Sequence, residues 1–74
     1  KIALDGGNDG LDVVKKVIYK AKELLRKKGI LAIEIGNKQY TEVSKILRIN
    51  KFRKKYLISD YHRNIRCVVS VLEN

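Results

Sequence analysis

The chain has 74 residues, 45% hydrophobic and 34% charged, which suits one small globular unit and excludes a disordered segment. Seventeen Lys and Arg against eight Asp and Glu give a net charge of +9; one reading is an anionic partner such as RNA, the ribosome or a membrane surface. The other, which we favour, is compositional: Lys, Ile and Asn are all abundant, as under an AT-rich coding bias, so lysines decorate any solvent-facing position.

In chain order, the first informative stretch is residues 4–12, LDGGNDGLD, with three of the five glycines and three of the eight acidic residues. Paired glycines tolerate tight turns, Asp9 sits where a helix N-cap belongs, and Asp9 and Asp12 suit the positive end of a helix dipole. A shaped loop feeding a helix is expected. It is not a phosphate cradle, because Asp5, Asp9 and Asp12 would repel an anion and no P-loop or dinucleotide-binding pattern is present. Residues 11–28 then place Leu11, Val14, Val17, Ile18, Ala21, Leu24 and Leu25 at gaps of three and four, one buried stripe of an amphipathic helix that Gly29 should end.

Residues 30–35 are apolar except for Glu34 and read as a strand covered on both faces, closed by Gly36. A second helix is expected over 38–49, capped by Asn37, with Tyr40, Val43, Ile46 and Leu47 inward and Asn50 left-handed at its end. Two strand-like runs follow, 52–59 and 65–72, around Asp60, Tyr61, His62, Arg63 and Asn64. They suit an antiparallel hairpin with a loop of about five residues. Phe52, Tyr56 and Ile58 share one strand face and should form core. Tyr19, Tyr40, Tyr56, Tyr61 and Phe52 would stack nucleobases only if aligned on one exposed face, and no RNA-recognition signature accompanies them. No repeat or linker divides the chain, so residues 1–74 form a single unit.

Little here is reactive. Glu34, the one charge of the central strand, lies near the end where open α/β sheets place ligands; it either supports a pocket or is satisfied at the sheet rim. His62 reads as an exposed turn residue, and Cys67 as an inert core thiol. One His and one Cys make neither a metal site nor a disulfide, and no nucleophile stands with its base. No catalytic residue is assigned. No apolar run approaches the roughly 20 residues that cross a bilayer and no signal-peptide pattern precedes the loop. No membrane partner is expected, and the cytoplasm is the expected compartment.

LDGGNDGLD, an amphipathic helix and then ILAIEIG together resemble the C-terminal portion of HemK-type peptide-chain release factor glutamine methyltransferases. In that family an ALDGG-x-DGLD segment lies shortly after an Asn-Pro-Pro-Tyr motif, and an LEIG strand follows the next helix. The likeness is specific from Ala3 to about Gly36. It is looser through Leu72, where ISDYHRNIRCVVSVL parallels the closing hairpin. That hairpin usually carries a Gly and an acidic residue or Pro before its Arg; this chain has Arg63 and Ile65 instead, beside the matching Asp60 and Arg66.

The resemblance implies an α/β fold: the C-terminal half of a doubly wound, Rossmann-like methyltransferase sheet, helix–strand–helix followed by an antiparallel β-hairpin. The last strand would lie between the other two and antiparallel to both. It further implies a whole protein that uses S-adenosylmethionine to methylate a glutamine side-chain amide in a release factor. The donor-binding loop and the amide-gripping motif would lie upstream, leaving this segment alone inactive. Asp5, Gly6, Gly7, Asp9 and Gly10 would shape the substrate cleft. The alternatives are a free-standing basic RNA- or ribosome-binding module and an inactive structural fragment. A start at Lys1 without Met reads as a cut from a longer protein. Such a cut would leave the strand at 30–35 with an open edge and Val14, Ile18 and Leu25 partly wet, so the segment would be marginal or self-associating.

Overall fold

The structure, a computed structural model, describes residues 2–3, 10–36 and 38–73. In chain order come strand β1 (Ile2–Ala3), helix α1 (Gly10–Leu24), strand β2 (Ile30–Glu34), helix α2 (Tyr40–Ile49) and the hairpin strands β3 (Phe52–Ser59) and β4 (Ile65–Leu72). The α/β order of helix, strand, helix and hairpin is the expected one. So are the bounds of both hairpin strands.

The sheet order is β1-β2-β4-β3. β4 inserts between β2 and β3 and is antiparallel to both, with Val68 opposite Ile33 on one side and Leu57 on the other. β2 and β3 therefore run parallel, joined by a crossover through α2, as the resemblance implied. β1 was not foreseen. It adds to the free side of β2 in parallel, Ile2 opposite Ile33 and Ala3 opposite Glu34. The edge of β2 is thus open only along residues 30–32 among the described residues, and the expectation of a wholly open edge is corrected.

Side-chain alternation divides the sheet. One face carries Ile33, Val68, Leu72 and Phe52, which join Val14 and Ile18 of α1 with Val43, Ile46 and Leu47 of α2 in a single buried cluster. Each side chain buried there contributes about 1.5–3 kcal/mol from water exclusion. Ser70, fully buried on the same face, donates from Oγ to the Leu31 carbonyl at 3.2 Å, so its burial leaves no polar atom unsatisfied. Val14 and Ile18 are completely covered rather than partly wet, because α2 and the sheet close over them.

The other face carries Ile30, Ala32 and Glu34 of β2 and Cys67, Val69 and Val71 of β4. Among the described residues no helix covers it. The expectation that β2 is covered on both faces is corrected accordingly: Ile30 is 48% exposed. A register shift between Lys54 and Tyr56 turns the second half of β3 over. Phe52 and Leu57 face the core, whereas Tyr56 and Ile58, expected inside with Phe52, lie on the outer face at 53% and 48% exposure. Cys67, opposite Ile58 and Glu34, is half-buried on that outer face and not a core thiol.

The helix ends also differ from expectation. α1 stops at Leu24, which is 72% exposed, while Leu25 turns inward. The left-handed residue after it is Lys28, φ 70°, and not Gly29. Its N–H donates to the Leu72 carbonyl at 2.6 Å and the Leu72 N–H donates to the Gly29 carbonyl at 2.9 Å, so the end of β4 dictates the turn. Gly29 is needed for space: a Cβ there would lie 2.8 Å from the Arg26 carbonyl oxygen and 3.0 Å from Leu25 Cβ. After α2, Lys51 (φ 70°) takes the left-handed position expected of Asn50, because Asn50 (φ −93°) is buried and donates from Nδ2 to the Ile46 carbonyl at 2.8 Å. The N-cap position of α2 is Gln39; Asn37, the expected cap, lies outside the described residues.

Candidate functional site

β1 and β2 end side by side at Ala3 and Glu34, and their C-terminal ends form the pole where open α/β sheets accept ligands. The glycine-rich segment joins the end of β1 to the start of α1. Asp5, Gly6, Gly7 and Asp9 lie outside the described residues, as does the expected capping role of Asp9; Gly10 is the first residue of α1. Carboxylates of that helix's first turn face its positive end, where Asp12 sits.

Glu34 lies between Ala3 and Cys67 in the sheet and, alternating with buried Ile33, faces away from the helices. It is half-buried and not a free carboxylate. The β2–α2 junction beside it is closed on itself. The Gly36 N–H donates to Gln39 Oε1 at 2.8 Å, and the Ile35 N–H donates to the Arg66 carbonyl at 2.9 Å, tying the end of β2 to the start of β4. These amides are spent on the fold.

The β3–β4 loop shares this pole. Asp60 organises it: Oδ1 accepts from the backbone N–H groups of His62 (2.8 Å) and Asn64 (3.0 Å), while Oδ2 accepts from Arg66 Nε at 2.9 Å. The Asn64 N–H, and behind it the Arg66 guanidinium, hold this carboxyl below its ordinary value of 3.8. Arg63 adopts φ 64°, a left-handed conformation that favours Gly. His62 is an exposed turn residue, as expected, and Tyr61 is fully exposed. The aromatic side chains form no common platform: Tyr19 lies on α1, Tyr56 on the outer sheet face, Tyr61 in the loop, and Phe52 in the core. Tyr40 instead meets Lys54, whose Nζ donates to its hydroxyl at 3.0 Å and lowers the phenol's pKa.

Chemically, this pole positions a loop and braces it. Among the described residues no group of His, Cys, Asp or Glu is placed to hold a metal ion. The Asp60 staple escaped the sequence reading except as matched positions, since an Asp six residues before an Arg becomes informative only when a hairpin brings them together.

No protein-family model and no solved structure matches the chain. Curated relatives do. The release factor glutamine methyltransferase of Moorella thermoacetica is 38% identical over 71 residues, covering 95% of this chain and 25% of that protein. The enzyme of the same name from Clostridium acetobutylicum is 39% identical over 70 residues, with the same coverages. The ribosomal protein uL3 glutamine methyltransferase of Francisella tularensis is 45% identical over 40 residues, 54% of this chain and 13% of that protein. The chain spans about a quarter of the length of the first two. Along nearly its whole length it is homologous to a segment of the release factor glutamine methyltransferases.

Proposed function

We propose that the chain is the C-terminal segment of an S-adenosylmethionine-dependent methyltransferase whose acceptor is the side-chain amide of a glutamine in a peptide-chain release factor. The observation that carries this reading is identity of 38–39% over 95% of the chain to two relatives of that name. The insertion of β4 between β2 and β3, antiparallel to both, agrees with the sheet order that the resemblance implies and supports a doubly wound methyltransferase sheet in the whole protein. A release factor is preferred to ribosomal protein uL3 as substrate because the uL3-directed relatives match only about half of the chain, 53–54%.

The donor-binding loop of the whole protein would lie upstream of this segment. Among the described residues the Gly36 amide is already bonded to Gln39, and the chain contains no Asn-Pro-Pro-Tyr, the motif that the resemblance assigns to the acceptor amide. No step of methyl transfer is therefore assigned to these residues. Their part is architectural. β1 and α1 would hold the loop of Asp5, Gly6, Gly7, Asp9 and Gly10 beside the substrate cleft, with Glu34 supporting the pocket at the end of β2.

Two measurements test this. Calorimetry of the 74-residue chain with S-adenosylmethionine should show no binding heat; a micromolar dissociation constant would require a donor site within it. The longer protein carrying the segment, incubated with donor and release factor, should add one methyl group to a glutamine by mass spectrometry. A longer protein that binds donor yet leaves release factor unmodified would overturn the substrate assignment.

A further inference from the structure

Four of the described carboxylates, Asp12, Glu34, Glu42 and Asp60, lie toward the pole where β2 and β3 end, beside Lys38, Arg63 and Arg66. The opposite pole, where those strands begin and both helices finish, collects cations from segments far apart in sequence. A groove of about 340 Å³ on the outer side is walled by Lys27, Lys28, Arg53 and Lys55. A second, of about 480 Å³, lies against α2 and is walled by Arg48, Lys51, Arg53 and Lys54. Arg53 belongs to both, so seven cations line the pair of grooves. The one carboxylate in either wall is Glu73, and it already accepts from Arg53 Nε at 2.8 Å. Seven of the sixteen described cations thus line two adjoining concavities around one neutralised carboxylate.

We propose that this basic pole binds the phosphodiester backbone of a single-stranded nucleic acid. Positive grooves that track a backbone are the usual means of holding such a strand, and seven cations suit an anion carrying a charge at every nucleotide. An anionic bilayer is the competing partner, since Leu24, Ile30 and Ile49 stand exposed at the same pole, but the cations line concave walls, which favours a strand held by its backbone. The pole's cations meet a backbone as point charges and carry no geometry for reading a base edge, so recognition is by charge and indifferent to sequence. The surface is independent of the methyltransferase reading: it stands or falls on binding, that reading on methyl transfer.

The test is fluorescence anisotropy of the 74-residue chain with labelled single-stranded RNA and DNA of roughly 20 nucleotides, titrated at rising salt. A pole variant (K27Q/R48Q/K55Q) is compared with a helix variant of equal charge change (K15Q/K16Q/K22Q), all six positions being exposed. The pole variant should bind at least about 10-fold more weakly and lower the slope of log affinity against log salt by about 2, for three lost contacts at about 0.7 each. The helix variant should lose less than about threefold, and RNA and DNA should bind alike. A charge-conserving pole variant (K27R/R48K/K55R) should retain binding, which separates lost charge from lost fold. Equal losses in the pole and helix variants, no binding at low salt, or a strong preference for one sequence would overturn the proposal. So would binding to phosphatidylserine vesicles in place of the oligonucleotides.

Discussion

Asp60 and Arg66 close the mouth of the β3–β4 hairpin through a charge-assisted hydrogen bond of 2.9 Å between Oδ2 and Nε. The remaining carboxylate oxygen caps two loop amides, so one side chain fixes both the loop's conformation and its closure. Asp60→Asn should lower the melting temperature at neutral pH. The sign of the pH dependence follows from the depressed carboxyl. Its contribution is complete above the ordinary value of 3.8 and is lost as pH falls through the lower folded value. Acid should therefore destabilise the parent more than Asp60→Asn, and melts at neutral pH and below 3.8 would show it. Equal acid sensitivity in both proteins would mean that the staple is broken in solution.

Arg63 adopts φ 64°, where a side chain crowds its own backbone. Arg63→Gly removes that crowding at the cost of a freer unfolded chain. It should stabilise by up to about 1 kcal/mol, read from the urea midpoint at constant slope. Loss of stability would show that the Arg63 side chain has a compensating role.

Ile18 is fully buried between the helices and the sheet, while Val13, less than two turns earlier, is 48% exposed. Ile18→Ala should cost about 2–5 kcal/mol through lost burial and a residual cavity, enough to unfold much of a domain this small. Val13→Ala should stay within about 0.5 kcal/mol. Circular dichroism melts distinguish them. Similar effects at the two sites would place α1 in a different rotation.

Edge protection is unequal. β3 carries Arg53, Lys54 and Lys55 and two register shifts, all of which discourage strand addition. The outer edge of β2 along residues 30–32 has neither charge nor partner among the described residues. The isolated chain should self-associate there, with sedimentation velocity shifting across a concentration series and Leu31→Lys restoring the monomer if it still folds. A sharp monomer at every concentration, with high thermal stability, would remove the edge as an interface.

The order of elements was legible in the sequence because hydrophobic period is a local property. Val14, Ile18, Val43, Ile46 and Leu47 recur as a helix demands, and the alternating runs on either side of residues 60–64 demanded a hairpin. The LDGGNDGLD and ILAIEIG stretches likewise carry, as plain sequence, the likeness to the glutamine methyltransferase relatives. What local pattern could not carry was anything settled by a distant partner. Pairing with Ile33 and Glu34 made a strand of Ile2 and Ala3, and the carbonyl of Leu72 placed the left-handed turn at Lys28 instead of Gly29. The register against β4 put Tyr56 and Ile58 outside, since a single extra residue in one strand reverses every side chain beyond it. The gathering of seven cations at one pole is of the same kind: Lys27 and Arg53 are neighbours only because the start of β2, the end of β4 and the start of β3 are hydrogen-bonded side by side.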